Sequence, residues 1–399
     1  MMPPEDRGDG ARAPTSKARE AWSRGFIAAL VATLVLFAAV SVGQGFLNAV
    51  RNSQDLQWSP VSLLSAGINP YTVALEGNPN GALILYQVPP YLHILYVITL
   101  PLALLTFKSA AAAWAILAIG LSVFAIFNIG KRSGLNPLQS TLLFLVFLCG
   151  TPFRNALGNG QTSLVLFFFL AISWHRRGKA WSGGALAIAS AKYSFSPPVW
   201  LWLAAERNFV SLLVSVATLI FGWLAFSALA HSPPMETILQ PFEVAKKYSL
   251  DGGVGDIMTA TRLLGLDFLV FAGVGTSYFA AVLAGIIAFL VVWKRSSSLD
   301  ENELFSALCV VSLLAFRHLG YDYVLLAPAM AVSLSIKGTV RWVLLGCVVY
   351  FWFGLKALDV IGIDTSGLMM VLLSLVVNLI LLSAIVWPMP AHGQSPTGQ

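Results

Sequence analysis

Charge is what this sequence has least of. Only 11% of its 399 residues are Asp, Glu, Lys or Arg, against about 25% in a soluble domain. With 57% hydrophobic residues and a mean hydropathy of +0.77, that scarcity excludes an ordinary soluble fold. No polar stretch is long enough to make a soluble domain of its own. A GxxxxGK[ST] phosphate loop, a dinucleotide fingerprint and a His/Cys cluster are all missing, so a soluble-type ATP or nucleotide-sugar site is not expected. Cysteine is scarce too. Cys149, Cys309 and Cys347 lie inside apolar runs without metal-ligand spacing and read as small buried hydrophobes. Neither a metal nor a cofactor is expected.

What is there is a series of membrane-length apolar runs. The run Phe26 to Leu47 has 22 positions and no charge; at about 1.5 Å each it covers a hydrocarbon core of about 30 Å. Further candidate spans are 91–107, 110–130, 138–153, 162–174, 181–204, 209–230, 268–293, 303–317, 321–336, 340–357 and 367–388. Several are short, so about ten to twelve helices are expected in an all-α polytopic membrane protein. Residues 25–388 read as one transmembrane domain. Residues 1–24, rich in Pro, Gly, Arg and acids, read as a disordered cytoplasmic tail, and 389–399 as a second cytoplasmic tail. The first apolar run is too long for a cleavable signal peptide.

Sidedness follows from the basic residues. Arg7, Arg12, Lys17, Arg19 and Arg24 put the N-terminus in the cytoplasm and the long loop 48–90 outside. The loop 231–266 falls on the same side, which makes the outer leaflet the expected working face. Lys294-Arg295 and Lys337 to Arg341 fit the cytoplasm. Lys131-Arg132 and the stretch His175 to Lys179 do not fit a simple twelve-span threading. The net charge of +6 reports these loops and anionic lipid heads, not nucleic acid.

Four polar features stand out. Asp55 is a lone acid just past the first span, in a loop that continues through Asn69-Pro70-Tyr71 to Pro89-Pro90. In that loop Ser59 to Ala66 reads as a short interfacial helix, and Trp58, Tyr71, Tyr86 and Tyr91 read as headgroup anchors; a passive connector is the bland alternative. Thr151 to Thr162 gathers Arg154, Asn159 and Gln161 around glycines between two apolar segments. That suits an anion or sugar site, or an ordinary helix–helix turn. Lys192 lies in an otherwise apolar run, followed by Pro197-Pro198. A cation at membrane depth costs at least about 2.5 kcal/mol, so it has a purpose or snorkels to an interface. The run is either one kinked span or two half-helices meeting near Lys192. Last, Arg317-His318-Leu319-Gly320-Tyr321-Asp322-Tyr323 collects a cation, a base, an acid and phenols in one connection, for proton shuttling or sugar binding, or merely for an Arg317–Asp322 pair closing the loop.

In this order these residues resemble glycosyltransferase family 87, membrane mannosyltransferases of GT-C architecture that use polyprenyl-phosphate-linked sugars. The resemblance rests on Asp55, Gly67-Ile68-Asn69-Pro70-Tyr71, Tyr86 with Pro89-Pro90, Pro101-Leu102, Gly160-Gln161, Gly183-Gly184 to Lys192 with Pro197, and Tyr321-Asp322-Tyr323 leading to Leu325-Leu326 and Pro328. It implies a GT-C-type helical bundle in the plasma (inner) membrane. It also implies a lipid-linked hexose donor, usually mannose, a glycolipid or glycan acceptor at the outer leaflet, and transfer with inversion. On that expectation Asp55 and His318 are the catalytic candidates. Lys192 and Arg154 would bind the donor phosphate, and Asn159, Gln161, Tyr321 and Asp322 the sugar. The competing expectation is a transporter or flippase of a lipid-linked sugar, with Lys192 and Asp322 as midplane charges.

Overall fold

The computed structural model describes residues 16–248, 253–266, 270–271 and 274–387. Most of the expected N-terminal tail and all of the expected C-terminal tail lie outside these residues; from Ser16 onward the chain is already helical. Helix α1 (Ser16–Asn52) leads into three short helices, α2 (Trp58–Ser65), α3 (Pro70–Leu75) and α4 (His93–Thr99). Then come α5 (Phe107–Arg132), α6 (Pro137–Cys149), α7 (Thr151–Gly158), α8 (Ser163–His175), α9 (Trp181–Ala189), α10 (Pro197–Ala205) and α11 (Phe209–Leu229). The 231–275 segment carries α12 (Pro234–Thr237), α13 (Gln240–Lys247), α14 (Ile257–Leu263) and a two-residue antiparallel ribbon pairing Val270–Phe271 with Val274–Gly275. It is followed by α15 (Thr276–Arg295), α16 (Glu301–Ala315), the 3₁₀ turn Gly320–Leu326, α17 (Ala327–Ser335), α18 (Thr339–Val349), α19 (Leu355–Val360) and α20 (Leu368–Val386).

The protein is thus an all-α polytopic membrane protein. Among the described residues six helices are long and apolar enough to cross a membrane, and α6 with α7, bent by 52°, forms a seventh candidate. The other runs expected as spans are shorter or broken. Local chemistry explains the breaks. Proline has no amide hydrogen to donate, so it starts helices rather than continuing them, and it stands in the first turn of α6, α7 and α10. Asn69 starts α3 by accepting from the Tyr71 and Thr72 amides, and Asp300 with Glu303 forms a capping box on α16. The run 181–204 resolves into two half-helices, α9 and α10, with Lys192 in the break between them.

Helix directions sort the turns onto two ends. Trp58 Nε1 donates to Leu105 O at 3.0 Å, so α5 begins at the Asp55 end. Its 26 residues carry it about 39 Å to the other. There Arg132 Nη2 donates to His175 O at 3.4 Å. Arg177 reaches Glu301 at 2.9 Å and Glu206 at 3.5 Å. Gln139 of α6 donates to Leu334 O of α17 at 2.6 Å, and Arg295 covers the Trp387 ring. The turns holding Lys131-Arg132, Arg176 to Lys179, Arg207, Lys294-Arg295 and Lys337 to Arg341 therefore share one end. Once the apolar runs are broken correctly, the two basic clusters that defied simple threading fall in line.

Candidate active site

The other end gathers the polar residues. α1 stops at Asn52, and the next turn is pinned to the end of α7, where the Asp55 amide donates to Asn159 O at 2.9 Å. Gly160 permits this approach. Its φ is +67°, and a Cβ there would lie 2.8 Å from Ser53 Oγ and 2.9 Å from Leu56 Cβ. Beside it the Gln161 side chain, 1% exposed, accepts from Tyr91 Oη at 3.1 Å. Gln161 Nε2 and Thr162 Oγ1 are buried and make no close hydrogen bond among the described residues; Nε2 is turned to Asp55 and the Thr162 hydroxyl to Tyr91 at longer range. Buried polar atoms held this loosely leave room for a ligand's hydroxyls.

Lys192, its side chain 15% exposed, places Nζ 2.5 Å from Asp322 Oδ1. Ser163, the first residue of α8, donates to the same oxygen at 2.6 Å. Asp322 Oδ2 meets His318 Nδ1 at 3.3 Å and the Leu319 amide at 3.2 Å. Lys192 also lies over the Tyr321 ring at 5.0 Å and the Phe195 ring at 5.1 Å. A buried ion pair needs this density of partners to offset its desolvation.

Asp55, half-buried, belongs to the same electrostatic unit. Burial raises its carboxyl above the ordinary carboxylate range. The Gln161 amide and the Lys192 ammonium pull it down, and the Asp322 charge pushes it up again. A carboxylate raised in this way is a better proton acceptor than an exposed one.

The structure thus brings together Asp55, Gln161, Lys192, His318, Tyr321 and Asp322, with Asn159 beside them through its carbonyl. Arg154 stands half-buried on α7, which packs against the 320–326 turn. The two fully occupied members are notable. His318 is entirely buried with both ring nitrogens engaged, and Asp322 offers both oxygens to protein donors. Ser163 escaped sequence reasoning, because a serine opening an apolar helix carries no signal. Tyr71 and Tyr91, expected as headgroup anchors, are instead buried: Tyr71 Oη donates to Tyr91 O at 2.6 Å. The Tyr86 side chain lies outside the described residues.

The fold and the site describe a multi-pass helical bundle that gathers an acid, a cation and hydrogen-bonding groups of the kind that bind sugars. The family model of glycosyltransferase family 87 matches residues 90–319, and the chain belongs to that family. It is a membrane glycosyltransferase. Lys192, Arg154, Asn159, Gln161 and His318 fall inside the matched stretch; Asp55 precedes it, and Tyr321 and Asp322 follow it directly. No curated protein and no solved structure matches the chain.

Proposed function

We propose that this glycosyltransferase moves a hexose, mannose for preference, from a polyprenyl-phosphate-linked donor to a glycolipid or glycan acceptor, with inversion, at the outer face of the plasma membrane. The observation that carries the reading is an apolar cavity of about 420 Å³ beside the α9–α10 break. Tyr193, Pro197, Leu201, Val282, Ile286 and Phe316 line it, and Leu201, Val282 and Ile286 are exposed on the outer surfaces of α10 and α15. An isoprenoid chain lying there would run up to the α9–α10 break, the segment in which Lys192 directly precedes Tyr193. A soluble sugar nucleotide has no use for such a groove. The basic turns at the end opposite Asp55 support an outward-facing site, and the preference for mannose follows the family resemblance.

In this mechanism the Asp55 carboxylate takes the proton from the acceptor hydroxyl as its oxygen attacks the anomeric carbon from the face opposite the phosphate. The bond from that carbon to the phosphate oxygen breaks, and its electron pair stays on the phosphate. Base catalysis of this kind contributes about 10²–10⁴-fold. Lys192, with Arg154 behind it, meets the charge growing on the leaving group. Gln161, Thr162 and Asn159 orient the sugar hydroxyls, so the reactants meet in a fixed geometry. Radiolabelled polyprenyl-phosphate-mannose supplied to detergent-solubilised protein with a lipid or glycan acceptor tests this. A new glycosidic bond without a sealed vesicle is expected. Movement of the intact donor across vesicles with no bond formed would favour a flippase instead.

A further inference from the structure

A second cavity opens at the end opposite Asp55, away from the proposed chemistry. It lies between α5 and α8, which pack side by side and run towards that end together. Its volume is about 50 Å³, far below the roughly 300–1,000 Å³ of a pocket that encloses a whole small molecule. A space of this size takes a few heavy atoms of a headgroup and leaves the rest of its ligand outside. Phe124, Asn128 and Arg132 line it from α5, and Ile172, His175 and Arg176 from the end of α8. Spacings of three and four keep each set on one helix face.

Two of these side chains have bonding capacity to spare. His175, its side chain 5% exposed, sets Nδ1 3.5 Å from Glu301 Oε1. Its Nε2 is buried with no hydrogen-bond partner among the described residues, and a buried polar atom of that kind calls for one. Arg132 is held loosely, with Nη2 3.4 Å from His175 O and Nη1 3.7 Å from Glu301 Oε2. The short bond to Glu301, at 2.9 Å, belongs to Arg177. A guanidinium has five hydrogens to give, so Arg132 keeps donors for an anion, and the exposed Arg176 adds a second cation. The lining also changes character in a fixed order towards the basic end. Phe124, Asn128 and Arg132 follow one another along α5, and Phe168, Ile172 and Arg176 along α8. The Phe124 and Phe168 rings meet edge to face at 5.9 Å, and Phe124 is exposed. Aromatic, then polar, then cationic is the order of acyl chain, glycerol linkage and phosphate in a lipid.

We propose that this cleft binds the headgroup of one anionic phospholipid from the leaflet at that end. The phosphate lies between Arg132 and Arg176, a headgroup hydroxyl meets His175 Nε2, and one acyl chain lies against Phe124 and Phe168. A hydroxyl both donates and accepts, so it satisfies Nε2 whichever ring nitrogen carries the proton. A zwitterionic lipid shares the phosphate but brings a cation that the two arginines repel. Basic pockets between membrane helices take acidic headgroups for this reason. The bound lipid clamps the seam between α5 and α8, and the site stands apart from the transferase reading.

The test exposes the full-length protein in detergent to phosphatidylglycerol, phosphatidylcholine or inorganic phosphate, and reads native mass spectra and thermal unfolding. One phosphatidylglycerol per chain is expected to stay bound and to raise the unfolding midpoint, with phosphatidylcholine at least about fivefold weaker. Arg176→Gln should weaken phosphatidylglycerol binding about fivefold, the worth of one basic side chain near the membrane surface. Lys294→Gln removes a charge from the same end outside the cleft and should leave that binding unchanged. Equal losses in the two variants, or none in Arg176→Gln, would mean a diffuse attraction and overturn the site. Equal retention of the two lipids by the wild type would overturn it as well, and that comparison decides even if Arg176→Gln does not fold. Inorganic phosphate that stabilises the protein as much as phosphatidylglycerol does would make this a site for free anions and overturn the lipid assignment.

Discussion

Lys192 Nζ and Asp322 Oδ1 lie 2.5 Å apart across 130 residues of sequence. One comes from a broken helix, the other from a 3₁₀ turn, and neither element is stable without the bundle around it. The pair is asymmetric. Without Lys192, Asp322 still has Ser163, His318 and the Leu319 amide as hydrogen-bond partners, whereas without Asp322 the Lys192 ammonium loses its close ion pair and keeps Asp55 only at longer range. Asp322→Ala is therefore expected to cost about 3–5 kcal/mol, the range for a buried charge stripped of its partner, and Lys192→Met less. Thermal unfolding in detergent measures both. The reverse order of damage would refute the asymmetry.

Asp55→Asn is expected to lower transfer about 10²–10⁴-fold while leaving the unfolding midpoint and donor binding in place. The pH dependence has a definite sign. The active form is the carboxylate, and it is lost as pH falls through a value raised by burial. The acid limb of kcat/KM should thus lie above the ordinary Asp value of about 4. Lys192→Gln removes a lowering charge and should push that limb to still higher pH. An acid limb that stays put in Lys192→Gln would mean that the two groups do not share a site.

Gly160→Ala probes the docking of the loop that carries Asp55. The substitution puts a Cβ into Ser53 and Leu56 at a positive φ. It should cost about 1–3 kcal/mol and lower kcat more than it raises KM, because the part displaced is Asp55. Steady-state kinetics at saturating donor separate the two effects. Wild-type kcat in this variant would show that the approach is incidental.

The cavity predicts chain-length selectivity. Ile286→Trp fills the groove from its outer side, so KM should rise about tenfold or more for a long prenyl donor, as apolar contacts worth about 1–3 kcal/mol are lost. A donor with a one- or two-isoprene tail should be little affected. Equal effects on both donors would place the chain elsewhere.

Much of this site was legible in the sequence because membranes make polar residues conspicuous. Asp55 and Lys192 stand out against apolar surroundings, and Pro197-Pro198 marks the break. The short helix after Asp55, expected over Ser59 to Ala66, forms as α2 over Trp58–Ser65. What stayed hidden depends on contacts between distant segments. No local pattern pairs residues 192 and 322, and nothing in sequence shows that Tyr71 and Tyr91 are buried rather than lodged among headgroups. The span count suffered for a related reason. Hydropathy reads apolar length and is blind to whether neighbouring helices, rather than lipid, surround a run. α16 is buried along nearly its whole length and needs no membrane to satisfy its apolar side chains.

The shortness of α8 has a last consequence. With its lower end level with the end of α5, its 13 residues rise only about 20 Å. Ser163, and the carboxylate it touches, thus sit roughly half-way along the 26-residue α5. The Lys192–Asp322 pair that Ser163 touches is therefore recessed below the Asp55 loop, and its burial keeps bulk water, the commonest rival nucleophile for an activated sugar, from that side. Such recession would spare the donor from wasteful hydrolysis until a true alcohol arrives.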